Sequence, residues 1–96
     1  MSSEQIIVNI AELRDAATMF AEARALVEEA IIAADRKINP CRSMKSTRVG
    51  EDVQVWDQLK KDFERKMEIL SDANREFEGA ATDFETAANS RTAFNM

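Results

Sequence analysis

The scarcity of turn-forming residues is the feature that most constrains the fold of this chain. Among its 96 residues, the glycines and prolines are only Gly50, Gly79 and Pro40. An all-β fold needs turn residues at intervals of about 8 to 12 positions, and three cannot supply them. Because 45% of the residues are hydrophobic and 32% are charged, the composition is that of a chain that folds. The sequence therefore predicts an all-α fold of long helices.

The first helix is predicted from about residue 10 to residue 38. Asn9 and Glu12 have the spacing of a capping box, which marks a helix start. Pro40 marks the end, because proline disfavours a helical residue before it. Between them, residues step by alternating threes and fours along one heptad seam, and Arg24 is its single polar member. The seam consists of Ile10, Leu13, Ala17, Phe20, Arg24, Val27, Ile31, Ala34 and Ile38.

The second helix is predicted from about residue 51 to residue 89, after a connection over about 39–50 and before a short tail, 90–96. Large apolar residues recur there at intervals of seven, which is typical of a helix that packs along one face. They are Trp56, Phe63, Leu70, Phe77 and Phe84. Two such helices predict a single domain, a narrow antiparallel hairpin with heptad-like packing.

A lone hairpin of this size is expected to leave apolar surface exposed. Small domains bury only about 60 to 65% of their unfolded surface, and the first helix carries further apolar residues beside its seam. These are Met19, Ala23, Leu26, Ala30 and Ala33. We therefore expect two hairpins to pair into a four-helix bundle. The predicted partner interface comprises Phe20, Val27, Ile31, Trp56, Phe63, Leu70, Phe77 and Phe84.

The connection between the helices is basic. Residues 36–50 hold five of the 13 Lys and Arg residues and no acid. Two interpretations stay open: a solvated loop whose cations are favourable at a helix C-terminus, or a docking loop formed by Arg42, Lys45 and Arg48. Since the end of the second helix is acidic, two hairpins are expected to pair antiparallel, with each basic connection beside its partner's acidic end.

Most enzymatic chemistry is unexpected in this composition. The chain has no histidine, so it lacks an imidazole base and the usual catalytic dyads. Its single Cys41 is interpreted mainly as a spectator thiol in a reducing compartment. We expect no enzymatic activity, no cofactor and no metal. A net charge of -5 argues against nucleic-acid binding.

No segment of the sequence predicts membrane insertion or a cleavable signal peptide. No apolar run approaches the roughly 18 residues of a membrane span, and no basic region precedes an apolar one at the start. The chain is expected to be made in the cytoplasm.

Two residues leave alternatives open. Arg24 is either a snorkelling residue at the edge of the seam or a buried group paired with a carboxylate on the facing helix. Gly79 costs roughly 1 kcal/mol relative to alanine inside a helix. It either permits a close approach of helices or is simply tolerated.

The chain resembles the WXG proteins of type VII (ESX) secretion. The resemblance rests on its length, on the spacing of Ile7, Ile10, Leu13, Ala17 and Phe20, and on a tryptophan that opens the second helix. It spans nearly the whole chain. Trp56-Asp57-Gln58 replaces the family's Trp-x-Gly, and the connection is longer than the family's turn. The family's Tyr-x-x-x-Asp/Glu export signal is missing, since the chain has no tyrosine.

The resemblance implies a non-enzymatic subunit that acts through helical association. Its partner would be a copy of itself, a paralogous hairpin, or the helical N-terminal domain of a larger secreted protein. The implied role is a partner subunit or substrate of a type VII machine, which would leave the cell without a cleavable signal peptide or escort cargo. The alternative is a cytosolic coiled-coil adaptor or secretion chaperone that binds a helix of a larger protein.

Overall fold

The structure, a computed structural model, describes the backbone of residues 3–94 and the side chains of residues 9–89. Helix α1 spans Ser3–Ile38, a short 3₁₀ helix spans Asn39–Ser43, and helix α2 spans Thr47–Phe94. The two long helices pack side by side in opposite directions, and the described residues contain no strand. The predicted all-α helical hairpin is confirmed.

The hairpin is a rod. Its 36-residue and 48-residue helices correspond to about 54 and 72 Å of helix. The molecule measures 76 × 16 × 16 Å, with a radius of gyration of 21.5 Å. A compact domain of this length would have a radius of gyration of about 12.5 Å. A rod one helix pair wide can bury side chains only along the line where the two helices meet, so its core is a single seam.

Helix α1 begins before the predicted start. Its first residue is Ser3, and both Asn9 and Glu12 lie within the helix rather than at its end. No glycine or proline stands between Ser3 and Asn9 to stop the helix. Once a helix has nucleated, adding a residue is cheap, so the helix continues past a capping pattern. The predicted end at Ile38 agrees with the structure.

Helix α2 also begins earlier than predicted, at Thr47 instead of residue 51. Ser46 is the reason: its hydroxyl accepts a hydrogen bond from the backbone N–H of Val49 at 3.3 Å. Its carbonyl accepts the first helical bond, from the N–H of Gly50 at 2.9 Å. Ser46 is therefore an N-cap. The connection is therefore shorter than the predicted 39–50, and Arg48 belongs to the first turn of α2.

The C-terminal part of the chain continues the second helix. The backbone is helical as far as Phe94, so most of the predicted tail, 90–96, belongs to α2. Residues 95 and 96 lie outside the described residues.

The predicted seam of α1 faces α2. Each of its nine residues is buried or half-buried, and the rings of Phe20 and Phe77 meet edge to face with centroids 5.1 Å apart. Ala17 and Ala81 are fully buried. One turn away, the Asn74 amide donates a 2.7 Å hydrogen bond to the carbonyl of Ala17. Small side chains let the two helices approach closely at this level.

The two open alternatives have structural answers within the hairpin. Arg24 pairs at 3.4 Å with Glu28 of its own helix and keeps 43% of its side chain exposed, as a snorkelling residue does. A Cβ added at Gly79 would meet no atom within 4 Å. Gly79 therefore makes no close contact in the hairpin, and it is tolerated there.

Candidate interaction surface

The predicted interface residues lie mainly between the two helices of one chain. Phe20, Val27 and Ile31 face α2, and Trp56, Phe63, Leu70 and Phe77 face α1. Phe84, nearer the far end of α2, is 40% exposed. Seven of the eight therefore belong to the seam within the chain. A partner could contact only the part of each side chain that stays exposed in the hairpin.

That uncovered portion is large. Among the described side chains, only Ala17, Ile31 and Ala81 are buried. The chain exposes 7450 Å² of accessible surface, whereas a compact protein of 10.8 kDa exposes about 5,500 Å². The excess of about 1,900 Å² is comparable with what each subunit of an obligate homodimer buries. Two helices alone do not complete a core around this seam.

A second row of apolar residues follows the seam along one side of the rod. On α1 this row repeats at intervals of three and four, like the seam itself. It consists of Ala16, Met19, Ala23, Leu26, Ala30 and Ala33. Leu26 and Met19 are 67% and 50% exposed. This row has the spacing of a second heptad seam, and four of its six residues are exposed in the hairpin, whereas Ala16 and Ala23 are half-buried.

Helix α2 contributes to the same side. Because the helices are antiparallel and have 3.6 residues per turn, one row of α2 residues lies on the same side of the rod as the second row of α1. They include Val55, Leu59, Ile69, Ala73 and Ala80. Ile69 is 64% and Val55 is 58% exposed. A shallow groove of about 360 Å³, lined by Asn9, Glu12, Leu13, Phe77 and Phe84, opens there as well. We call this side the apolar flank.

The opposite side of the rod, the polar flank, carries the polar contacts between the helices. Near the open end of the hairpin, Arg14 pairs with Glu85 at 2.6 Å. A groove lined by Ala21, Arg24, Ser71, Asn74 and Arg75 lies midway. The closed end, where the connection lies, holds a cluster of five side chains joined by hydrogen bonds and ion pairs, the tip cluster. The two flanks thus differ in chemistry. Hydrogen bonds and ion pairs join the two helices on the polar flank, whereas the apolar flank carries exposed apolar side chains that the Asp62–Lys66 pair of α2 interrupts.

Asp35 lies at the centre of this tip cluster, which comprises Asp35, Arg42, Trp56, Asp57 and Lys60. One carboxylate oxygen accepts a 2.8 Å hydrogen bond from the Trp56 indole N–H, and the other pairs with the Lys60 ammonium at 2.5 Å. These two hydrogen bonds, the one from Lys60 foremost, lower the pKa of Asp35. The bond to Asp35 raises the pKa of Lys60.

Arg42 fastens the connection to α2. Its guanidinium makes a bidentate pair with the Asp57 carboxylate at 2.8 and 3.0 Å, and its Nε donates to the side-chain oxygen of Asn39 at 3.0 Å. The pair lowers the pKa of Asp57 and raises that of Arg42. Arg42 is thus held by contacts within the chain. Of the predicted docking loop, Lys45 and Arg48 are the residues that no such ion pair holds.

Charge is divided along the rod. The closed half, residues 35–61, holds seven basic and four acidic residues, a net charge of +3. The open end, residues 9–22 and 72–89, holds two basic and eight acidic residues, a net charge of -6. The rod therefore carries a charge gradient along its length, and an antiparallel neighbour would match it.

Few features of the described residues suggest another kind of site. Cys41 is half-buried and lines a cavity of about 340 Å³ with Ile38, Val49 and Trp56. Within the described part of the chain, no group of three or more His, Cys, Asp or Glu residues is placed to hold a metal ion. No helix among the described residues is long and apolar enough to cross a membrane.

The polar contacts between the helices were not predicted from the sequence. In the sequence, the one sign that Asp35, Asn74 and Lys60 contact the other helix is that they lie next to apolar seam positions. Their partners depend on the register between α1 and α2, and that register depends on the exact length of the connection. Comparison of the chain with known protein families, curated proteins and solved structures finds no match.

Proposed function

We propose that this protein is a non-enzymatic, WXG-like partner subunit or substrate of a type VII secretion system, and that it acts by completing a helical bundle. The observation that carries the proposal is the incomplete seam: the hairpin leaves most of its heptad residues half-exposed, and most residues of a second apolar row are exposed. Exposed apolar surface of this extent on a small protein marks an interaction site.

The resemblance supplies the secretion context. It supports pairing with a copy of itself, with a paralogous hairpin or with the helical N-terminal domain of a larger secreted protein. Because the chain has no tyrosine, it lacks the Tyr-x-x-x-Asp/Glu signal. In a pairing with a paralogous hairpin or a larger secreted protein, the export signal therefore comes from the partner, whereas a pair of identical chains needs the signal from a further protein. This chain contributes the helices that complete the bundle.

Dependence of export on the secretion machine tests the role. A tagged chain would be followed by quantitative mass spectrometry of cells and medium, in the native host and in a strain that lacks the membrane ATPase of its type VII system. A cytosolic enzyme would serve as the control for lysis. We expect the chain, or the protein that co-purifies with it, to reach the medium only when the ATPase is present.

Equal amounts of both proteins in the medium of the two strains would contradict the proposal. That result would favour the cytosolic adaptor or chaperone, whose partner stays inside the cell.

A further inference from the structure

We propose that this hairpin has two registers, and that the tip cluster holds α2 in the observed one. When the tip cluster is broken, α2 slides by one heptad, about 10 Å, along α1 into a second alignment. The inference concerns the hairpin alone and does not depend on the proposed function. It rests on the heptad repeat of both helices and on the position of the few contacts that the second alignment cannot replace.

The apolar layers of the seam fit both alignments. The rings of Phe20 and Phe77 meet in one layer, and a step of one heptad along each helix returns to the same face. The observed register therefore contains four such layers: Leu13 with Phe84, Phe20 with Phe77, Val27 with Leu70, and Ala34 with Phe63. After the slide, the four layers are Leu13 with Phe77, Phe20 with Leu70, Val27 with Phe63, and Ala34 with Trp56. Every layer keeps a large apolar side chain from α2.

Polar contacts along the rod also have substitutes in the second alignment. Arg14 pairs with Glu85 in the observed register, and Glu78, one heptad earlier, takes that place after the slide. The amide of Asn74 donates to the backbone carbonyl of Ala17. After the slide, the carbonyl one heptad before Ala17 lies in the same relation to this amide. Neither contact therefore distinguishes the two registers.

Asp35 does distinguish them. Its carboxylate pairs with Lys60 in the observed register. After the slide, Lys60 comes beside Glu28 and keeps an acidic neighbour, but Asp35 comes beside Val49 and Val53. Neither valine side chain donates a hydrogen bond, and a carboxylate without a partner beside apolar side chains is unfavourable.

The pair between Arg42 and Asp57 distinguishes the registers as well. It fastens the connection to α2 through two hydrogen bonds. One heptad before Asp57 stands Gly50, which has no side chain to accept them. Because Asp35 and Arg42 both belong to the tip cluster, the contacts that specify the observed register are concentrated at the closed end of the rod.

One contact outside the tip cluster also favours the observed register. Ala17 and Ala81 are fully buried, and Met67 replaces Ala81 beside Ala17 after the slide. Methionine is unbranched and adapts to irregular gaps, so a small separation of the helices accommodates it. This contact biases the equilibrium between the registers and does not block the slide.

The connection is long enough for both alignments. Because Asp35 is level with Lys60, Thr47 lies about 15 Å beyond the end of α1. The slide moves α2 towards the open end and shortens this overhang to about 5 Å. Residues 39–46 span up to about 26 Å when they are extended. The slide therefore requires a change of shape in the connection and no unwinding of either long helix.

The slide changes the surface that the rod offers to a partner. Val55 and Ile69 of α2 move by about 10 Å relative to Met19 and Leu26 of α1. Packed elements have discrete arrangements rather than a continuous range. A partner that fits one alignment therefore selects it, and the tip cluster sets how strongly the observed register resists that selection.

The distance between two spin labels, measured by pulsed electron double resonance, tests the slide. In a Cys41→Ser background, Thr18→Cys and Gln54→Cys place one label on each helix, and an excess of unlabelled chain removes distances between molecules. We expect one distance in the parent. With Asp35→Leu and Asp57→Ala, a second distance about 10 Å shorter should appear in at least about one third of the molecules, because these substitutions remove the contacts that distinguish the registers.

Two controls accompany this measurement. Asp15→Leu with Asp83→Ala removes the same charges from exposed positions and should keep the single distance of the parent. Labels at Thr18→Cys and Lys37→Cys, both on α1, should report the same distance in every variant, since the slide leaves α1 itself unchanged.

A third substitution identifies the new alignment. Glu28 comes beside Lys60 only after the slide, whereas in the observed register it pairs with Arg24 of its own helix. Adding Glu28→Lys to the Asp35→Leu, Asp57→Ala variant should therefore reduce the population with the shorter distance at least about 2-fold, through repulsion between the two ammonium groups.

A single parent distance in the Asp35→Leu, Asp57→Ala variant would overturn the inference, and so would an equal second distance in the Asp15→Leu, Asp83→Ala control. A shorter distance whose population Glu28→Lys leaves unchanged would overturn it too. Loss of the helical circular dichroism signal when the tip cluster is broken would also contradict it, because the second alignment keeps the four apolar layers of the folded hairpin.

Discussion

At the scale of single residues, the contact between Phe20 and Phe77 shows how this hairpin holds together. The two rings meet at 77°, in the edge-to-face geometry that aromatic pairs favour. Both rings are half-buried, because nothing in the hairpin covers their outer side. Each side chain of the seam therefore contributes only part of its full burial energy, and a covering partner would supply the rest.

Replacing Phe77 with alanine should destabilise the protein by about 2 to 3 kcal/mol. The value lies below the 3 to 5 kcal/mol of a fully buried phenylalanine because the ring is partly exposed. Urea denaturation followed by circular dichroism measures the change. The matched control is Ile32→Ala, at a position 47% exposed, where we expect a change within about 0.5 kcal/mol. Equal stabilities of the two variants would mean that residue 77 is not part of the seam.

The tip cluster makes stability depend on pH. The pKa values of Asp35 and Asp57 lie below the ordinary 3.8 in the folded state. Their stabilising contribution is therefore complete above about pH 4, and it is lost as the pH falls through the lowered values. The pKa of Lys60 lies above the ordinary 10.5, so its contribution is present below that pH and is lost as the pH rises through the raised value.

Replacing Asp35 with asparagine should flatten the acid side of the stability profile. Urea denaturation between pH 7 and pH 2 would show a smaller fall in the free energy of unfolding than the parent shows below about pH 4, because the variant no longer loses the pairs with Lys60 and Trp56. Asp15→Asn, which removes a carboxylate from an exposed position of the same helix, should keep the parent's profile. Superimposable profiles of parent and Asp35→Asn would show that the cluster does not contribute.

At the scale of the elements, heptad periodicity predicted both helices and the residues of α1 that face α2. It did so because a stripe that repeats every three and four residues can be buried only by another element along its whole length. The end of α1 before Pro40 was equally predictable from steric conflict. The start of α2 was not, because the cap is Ser46 and the more conspicuous Gly50 suggested a later boundary.

The assignment of a partner interface shows a second limit of the sequence. A heptad pattern predicts that one face of a helix is buried, but it does not identify the helix that buries it. Phe63 and Leu70 pack within the chain, whereas Leu26 and Ile69 remain exposed. Only the register between α1 and α2 distinguishes these groups, and it depends on the short 3₁₀ connection.

Gly79 allows a test of helix α2 by itself. Nothing lies within 4 Å of a Cβ added there, so alanine meets no steric obstacle. Gly79→Ala should stabilise the protein by roughly 1 kcal/mol, because alanine loses less backbone entropy in a helix. Thermal and urea denaturation measure the gain. A loss of stability would place Gly79 against a second molecule, where the added methyl group clashes.

At the scale of the whole molecule, the charge gradient should select the orientation of a pair. Reversing Lys45 and Arg48 to glutamate removes positive charge from the closed end and leaves the Arg42–Asp57 pair intact. Self-association at low salt should weaken by about 10-fold or more, since both charges are reversed in each chain of a pair and exposed charges contribute about 0 to 1 kcal/mol each. The difference should nearly vanish near 1 M salt, where the screening length is about 3 Å.

A charge-matched variant isolates the role of position. Lys61→Glu with Arg65→Glu makes the same change in net charge on α2, farther from the closed end. Sedimentation at both salt concentrations should show a smaller effect for this variant. Equal weakening by the two variants would mean that only net charge matters.

One hairpin leaves its seam unfinished, and we expect a second hairpin to complete it. Sedimentation equilibrium of the purified chain at about 100 μM tests this most directly. We expect a particle of twice the chain's 10.8 kDa, with a melting temperature that rises with concentration because dimerisation stabilises the fold. A helical particle of 10.8 kDa that melts cooperatively at a temperature independent of concentration would contradict it.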